Sequence, residues 1–268
     1  MGLASGITRT GASMKNRASG SCKRGWTGRG LACRLALVSV LACGAGLPAQ
    51  ATVIVVPNGS AAVEGNINNS APFANFSLRY QQVFDSGQFS ALSGPGLITR
   101  IAFRPDSQFG NAFSTVIADV RIDLSTTGAS PDGMSATFAN NVGADNTTVF
   151  SGALSLSSAD VAGPGNTRAF DIIIDLTTPF LYDATLGDLL LDIRNFSGVV
   201  TTQVDATNVS GDSVSRVVSF FDVNATVGTV TSIGDITQFT VGAAVPEPGT
   251  LVLLGLGLLG LRLRRMPH

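Results

Sequence analysis

Between Thr52 and Ala244 the chain contains no cysteine, histidine, lysine or tryptophan. Each absence excludes a chemistry. Without histidine or cysteine, neither a Ser-His-Asp nor a Cys-His nucleophilic centre can be assembled, and without lysine there is no amine for a Schiff base. Zinc held by the usual His and Cys ligands is excluded on the same ground. No disulfide can form in this stretch, so its stability must come from an apolar core, for which about 190 residues suffice. Positive charge is also scarce: seven arginines face sixteen aspartates and one glutamate, a net charge of −10. Nucleic acid is therefore excluded as a partner, because a phosphate backbone demands a basic face.

The missing residue types are concentrated at the ends. Residues 1–34 carry Arg9, Lys15, Arg17, Lys23, Arg24, Arg29 and Arg34, and the first acidic residue of the chain is Glu64. A nucleic-acid-binding arm is one reading of such a basic stretch. It leads, however, straight into the apolar run Leu35 to Cys43, then Gly44, Gly46 and Pro48, then Ala49-Gln50-Ala51. A basic segment, a short apolar segment and an A-x-A site make a secretory signal peptide over residues 1–51, with signal peptidase cutting after Ala51. The basic segment is long for a signal, and Met14 offers an alternative start. Cys22, Cys33, Cys43 and Trp26 all fall within this segment.

The other end, residues 245–268, has three parts. Pro246, Glu247 and Pro248 form an extended spacer, since each proline fixes its own φ and biases its predecessor away from helix. An uncharged Leu/Gly run follows to Leu261, shorter than the ~17 residues a spanning helix needs at its lower limit. Arg262, Arg264 and Arg265 then form a cationic stop of the kind found on the cytoplasmic side. The run contains Gly255-Leu256-Gly257-Leu258-Leu259-Gly260, which matches the dinucleotide pattern G-x-G-x-x-G, but no acidic residue follows to hold a ribose. Small residues packed in a membrane helix explain it.

In this order of parts the tail resembles the PEP-CTERM sorting signal of exported proteins in Gram-negative bacteria. The resemblance implies recognition by an exosortase, transient anchoring in the inner membrane as a transmembrane helix, and release to the cell surface or extracellular matrix. Arg262 within the expected helix and the trailing Met266-Pro267-His268 are small departures. Ile98 to Asp106 and Leu189 to Phe196 are similar to ectodomain stretches of many such proteins, a likeness that implies surface display and no particular activity.

Residues 52–244 form the ectodomain. Period-two alternation predicts strands over Thr52–Val56, Arg79–Phe84, Leu97–Arg104, Val116–Leu124, Phe170–Leu176, Pro179–Tyr182, Asp188–Arg194, Ser213–Asp222 and Asp235–Val241. In the fourth of these, Val116, Ala118, Val120, Ile122 and Leu124 are expected on the buried face, with Ile117, Asp119, Arg121 and Asp123 on the wet one. Turn-rich segments such as Gly94-Pro95-Gly96 and Thr126 to Gly133 separate the strands. No long helical period is present. The pattern predicts an all-β fold, a β-sandwich of jelly-roll type, with a β-helix disfavoured for want of a fixed repeat.

Three function classes follow. The first is an exported, non-catalytic surface or matrix protein. The second is a lectin-like glycan or calcium-dependent binding module, with surface polysaccharide as partner and Tyr80 and Tyr182 as its aromatic groups. Calcium is the one cofactor the composition leaves open, through the loops around Asp132, Asp145 and Asp160, although Asn140 to Asn146 lacks EF-hand spacing. The third is a hydrolase working with paired carboxylates. The pairs Asp119/Asp123, Asp171/Asp175 and Asp188/Asp192 are expected to be solvated sheet faces instead, so no catalytic residue is assigned.

Overall fold

The computed structural model describes residues 51–244. Among them are β1 (Thr52–Val56), β2 (Ile67–Asn69), β3 (Leu78–Phe84), β4 (Gly96–Phe103), β5 (Phe113–Thr127), β6 (Thr147–Ser158) and β7 (Ile172–Tyr182). Then come β8 (Asp188–Asn195), β9 (Val204–Asn208), β10 (Val214–Phe220), β11 (Thr229–Thr231), β12 (Ile233–Asp235) and β13 (Thr237–Ala243). The fold is all-β, as the alternation predicts, and the only helical pieces among the described residues are short 3-10 turns. No helix among the described residues is long and apolar enough to cross a membrane.

The strands form three antiparallel sheets, ordered β1-β13-β4-β7, β11-β10-β3-β8-β5-β6 and β12-β9-β2. One apolar cluster draws on both larger sheets, with Ile101, Phe103 and Phe239 from the four-stranded sheet and Phe84, Ile122 and Leu191 from the six-stranded one. The rings of Phe84 and Phe239 meet edge-on, 5.0 Å between centroids, so the two sheets pack face to face.

The six-stranded sheet is covered on its other face too. Met134 and Phe138, from the segment between β5 and β6, pack with Val83, Leu190 and Val217 in a second apolar cluster. Polar groups on this face are paired beneath the cover: Arg79 bonds Asp192 at 2.8 Å and stacks over the Phe138 ring at 4.4 Å. Gln81 Nε2 donates to Asp192 Oδ2 at 2.7 Å, and Asn141 Nδ2 donates to Gln81 Oε1 at 3.0 Å. The expectation of a solvated Asp188/Asp192 face is thus corrected, because Asp192 is 4 % exposed. Period two reports which residues share a face and carries no information on whether a loop folds over it.

A second correction concerns β5. Its pairing with β6 slips between Ile117/Val120, where two residues of β5 oppose one of β6. Ile117 is buried and Val116 exposed before this bulge, whereas Val120, Ile122 and Leu124 are buried after it. The single expected face is therefore two half-faces, since a one-residue slip exchanges inside for outside. Gly152 of β6, at φ 124°, sits opposite Val120 at the bulge. β6, β2, β9, β11 and β12 are additional to the predicted strands. Asp123 is also buried, accepting from Arg121 Nε at 2.8 Å and Thr148 Oγ1 at 2.6 Å, while Asp119 stays exposed. Asp175 behaves as expected and pairs with Arg100 at the surface. Asp171 is half-buried and accepts from Ser158 Oγ. Pro179 lies within a continuous β7, tolerated because that strand is an edge of its sheet.

Phe239 is fully buried between both sheets. Phe239→Ala is expected to lower unfolding free energy by about 3–5 kcal/mol, the range for large core truncations, read from the midpoint of a denaturant titration. A loss below about 1 kcal/mol would be incompatible with this packing.

Candidate functional site

The segment after β4 runs antiparallel to β9, through the bridge of Pro105 to Val204 and the bonds Asp106 N to Gln203 O (3.0 Å) and Asp205 N to Arg104 O (3.0 Å). β2 pairs with the same strand, Ile67 opposite Ala206. Three remote segments thereby bring Glu64, Asp106 and Asp205 together, one carboxylate oxygen of each lying within 4.8 Å of the others. Gly65 permits the approach: a Cβ there would collide with the Ala206 carbonyl.

Arg104 is the counter-charge. Its fully buried guanidinium bonds Asp205 Oδ2 through Nε (2.7 Å) and Nη2 (2.6 Å), donates to Val63 O (2.8 Å) and lies over the Phe170 ring. Burial pushes the Asp205 carboxyl up to about 6, opposed by Arg104 and reinforced by the nearby Glu64 charge. Most oxygens of the cluster are committed. Asp205 Oδ1 accepts from Gly65 N (2.9 Å), Glu64 Oε1 from Ser107 N (2.6 Å), and Asp106 Oδ1 from Gln108 N (2.9 Å) and Phe109 N (2.8 Å). Glu64 Oε2 is buried without a partner. Glu64 and Asp106 are therefore the residues that could hold a hard cation. They offer far fewer free oxygens than the six to eight calcium takes.

The loop over this cluster is closed by its own hydrogen bonds. Asp106 holds the amides of Gln108 and Phe109, Gly110 N returns to Asp106 O at 2.8 Å, and a Cβ at Gly110 would strike that carbonyl. The loop lifts Phe109 to 58 % exposure between two hollows of about 520 and 400 Å³. Glu64, Asn68, Asp106 and Asn166 line the first; Asn75, Asn111, Val200 and Gln203 line the second.

A separate polar cluster lies deeper. Asp235 accepts from Asn69 Nδ2 (2.6 Å), and the single proton of the Tyr80 hydroxyl is shared between Gln82 Oε1 and Asp235 Oδ2 (3.1 Å). Arg216 Nη1 donates to Asn69 Oδ1 at 2.8 Å. Burial drives the Asp235 carboxyl up to about 7, against the bond from Asn69 and the Arg216 charge, and raises the Tyr80 phenol well above its ordinary value.

Several residues singled out in the sequence are placed differently. Tyr80 and Tyr182 are fully buried and present no ring to a glycan. Asp132 Oδ2 accepts from Ser210 Oγ and Gly211 N, tying its loop to the one between β9 and β10, Asp145 Oδ1 accepts from Thr126 N, and Asp160 pairs with Arg168, so each is engaged in structural bonds. Ala51 is exposed, immediately before β1. Ala49, Pro246, Glu247, Pro248, Arg262, Arg264 and Arg265, with the signal peptide and sorting helix, lie outside the described residues. The Glu64, Arg104, Asp106 and Asp205 cluster was not legible in sequence spacing. The one available signal is that Glu64 is the sole glutamate between Thr52 and Ala244.

Residues 244–265 match the family profile of the PEP-CTERM protein-sorting motif. The chain thus carries this motif, which implies export and exosortase processing. No curated protein and no solved structure is significantly similar to the chain.

The buried carboxyls make a pH prediction. Asp235 titrates near 3.8 when exposed and at about 7 when folded. The folded state holds the proton throughout that window, so this group stabilises the protein below the window and loses its contribution as pH rises through about 7. The thermal midpoint is expected to rise on acidification from pH 8 to pH 5. Asp235→Asn should flatten that rise, and an unchanged slope would contradict the assignment.

Proposed function

We propose that the chain is an exported, non-catalytic protein of the cell surface or extracellular matrix, a jelly-roll β-sandwich delivered by two removable end segments. The match of residues 244–265 to the sorting motif carries the reading. The orders β1-β13-β4-β7 and β3-β8-β5-β6 support the jelly roll, with β10 and β11 added at one edge. A non-catalytic body is supported by the absence of His, Cys and Lys between Thr52 and Ala244, and by the bonding of Asp106 and Asp205 to backbone amides and Arg104.

The strand ends suit trimming on both sides. Thr52 opens β1 and pairs with Val241 near the end of β13, so the two ends of the described residues lie at the same end of one strand pair. Cutting after Ala51 and within Pro246 to Gly249 removes no residue of either strand.

Intact-mass measurement on the extracellular fraction of a producing cell is expected to show a chain starting at Thr52 and ending between Pro246 and Gly249. Glu247→Ala should leave the tail uncut and hold the protein in the membrane fraction. A full-length cytoplasmic species, or normal release of the variant, would overturn the reading.

A further inference from the structure

We infer that Phe109 and the two hollows beside it form a binding groove for neutral polysaccharide. This goes beyond the proposed route of export and does not depend on it.

Three observations converge. Phe109 is a large apolar ring held out in solvent by a loop tied on both sides of it: buried Asp106 accepts from its amide, and Gly110 N closes the turn on Asp106 O. A phenyl group gains nothing from water there, and a floppy loop would fold it down. Secondly, both hollows fall in the ~300–1,000 Å³ range of small-molecule sites. Thirdly, seven side-chain amides line the two hollows that share the ring; Asn66 and Asn111 are engaged in hydrogen bonds, which leaves Asn68, Gln108 and Asn166 in one hollow and Asn75 and Gln203 in the other. None of the five side chains is hydrogen-bonded to another group among the described residues. Each amide offers two donors and an acceptor with two lone pairs, which matches a hydroxyl that both gives and takes a proton.

The charges select the ligand class. Neither hollow is lined by an arginine or a lysine, and the larger is lined by Glu64 and Asp106. In the larger hollow phosphate, sulfate and uronate groups would meet Glu64 and Asp106, while the nearby Arg104 is buried and committed to Asp205, and the smaller hollow offers them no cation. An aromatic face bordered by neutral amides suits the C–H face and hydroxyl rim of an uncharged pyranose. Two hollows sharing one ring suit a chain of such units, with Phe109 stacked beneath the middle unit.

Affinity electrophoresis tests this, using the full chain in mild detergent with dextran, yeast mannan, laminarin or alginate cast in native gels. At least one of the three neutral polymers is expected to retard migration, and alginate not at all. Phe109→Ala should raise the apparent Kd at least tenfold, and Asn75→Ala with Gln203→Ala severalfold. Phe221→Ala, at an exposed ring elsewhere, should leave retardation unchanged. Thermal midpoints equal to the parent's establish that the variants are folded. Retardation by no neutral polymer, by alginate alone, or equally in Phe109→Ala would overturn the inference.

Discussion

The structure depends on the antiparallel pairing of β3 with β8, buried on both faces at the middle of the six-stranded sheet. Every residue of β3 is buried, and of β8 only Asp188 and Arg194 are partly exposed. In a chain without disulfides between Thr52 and Ala244, this pair joins the inner core, where Leu78, Phe84 and Leu191 meet the opposite sheet, to the outer cluster around Phe138. Two apolar layers on one sheet bury more surface than a two-sheet arrangement alone, and hydrophobic stabilisation scales with the area removed from water. The long connection from β5 to β6 is therefore a structural layer, although its composition reads as a turn.

That double burial marks the limit of what alternation reveals. In β4, β7 and β8 the period-two pattern predicts the inward residues, and Ile101, Ile172, Ile174 and Leu191 are buried accordingly. β5 departs from the single-face expectation where it changes phase, and the one trace of the slip in the sequence is apolar Ile117 at a position expected to be wet, which lies buried just before the bulge. β6 escaped because its strand character is divided by Gly152, a residue that usually signals a turn and here accommodates φ 124° within a strand. The sites divide along similar lines. The tail is legible because its three parts are contiguous, whereas Glu64, Asp106 and Asp205 become neighbours only through the pairings of β9. Tyr80 and Tyr182, attractive as surface rings by residue type, are core residues by strand phase.

The polar groups buried against this sheet fix its register. Arg79 and Asp192 point to the outer layer, while Tyr80 and Gln82 point inward to Asp235. A one-residue slip of β3 would bring Arg79 and Gln81 into the inner core and leave Asp192 buried without a partner. Breaking such a pair costs about 3–5 kcal/mol, because an uncompensated charge remains. An all-apolar β3 would tolerate the same slip at much lower cost. Buried ion pairs contribute little net stability compared with apolar replacements. Their value here lies in discriminating one pairing from its neighbours.

The same logic reaches the loop that presents Phe109. Arg104 and Asp205 pin the segment after β4 to β9, and Asp106, next but one to Arg104, shapes the turn that follows. The charged cluster thus sets the position of an exposed ring five residues beyond Arg104 through the bond of Asp106 to the Phe109 amide. An apolar pair in place of Arg104 and Asp205 could fill the same volume, but it would supply no directional bond to hold Val63 and Gly65 against β9. The acidic cluster is therefore best understood as the foundation of the Phe109 loop, with its burial cost tolerated because three remote segments meet there in only one arrangement.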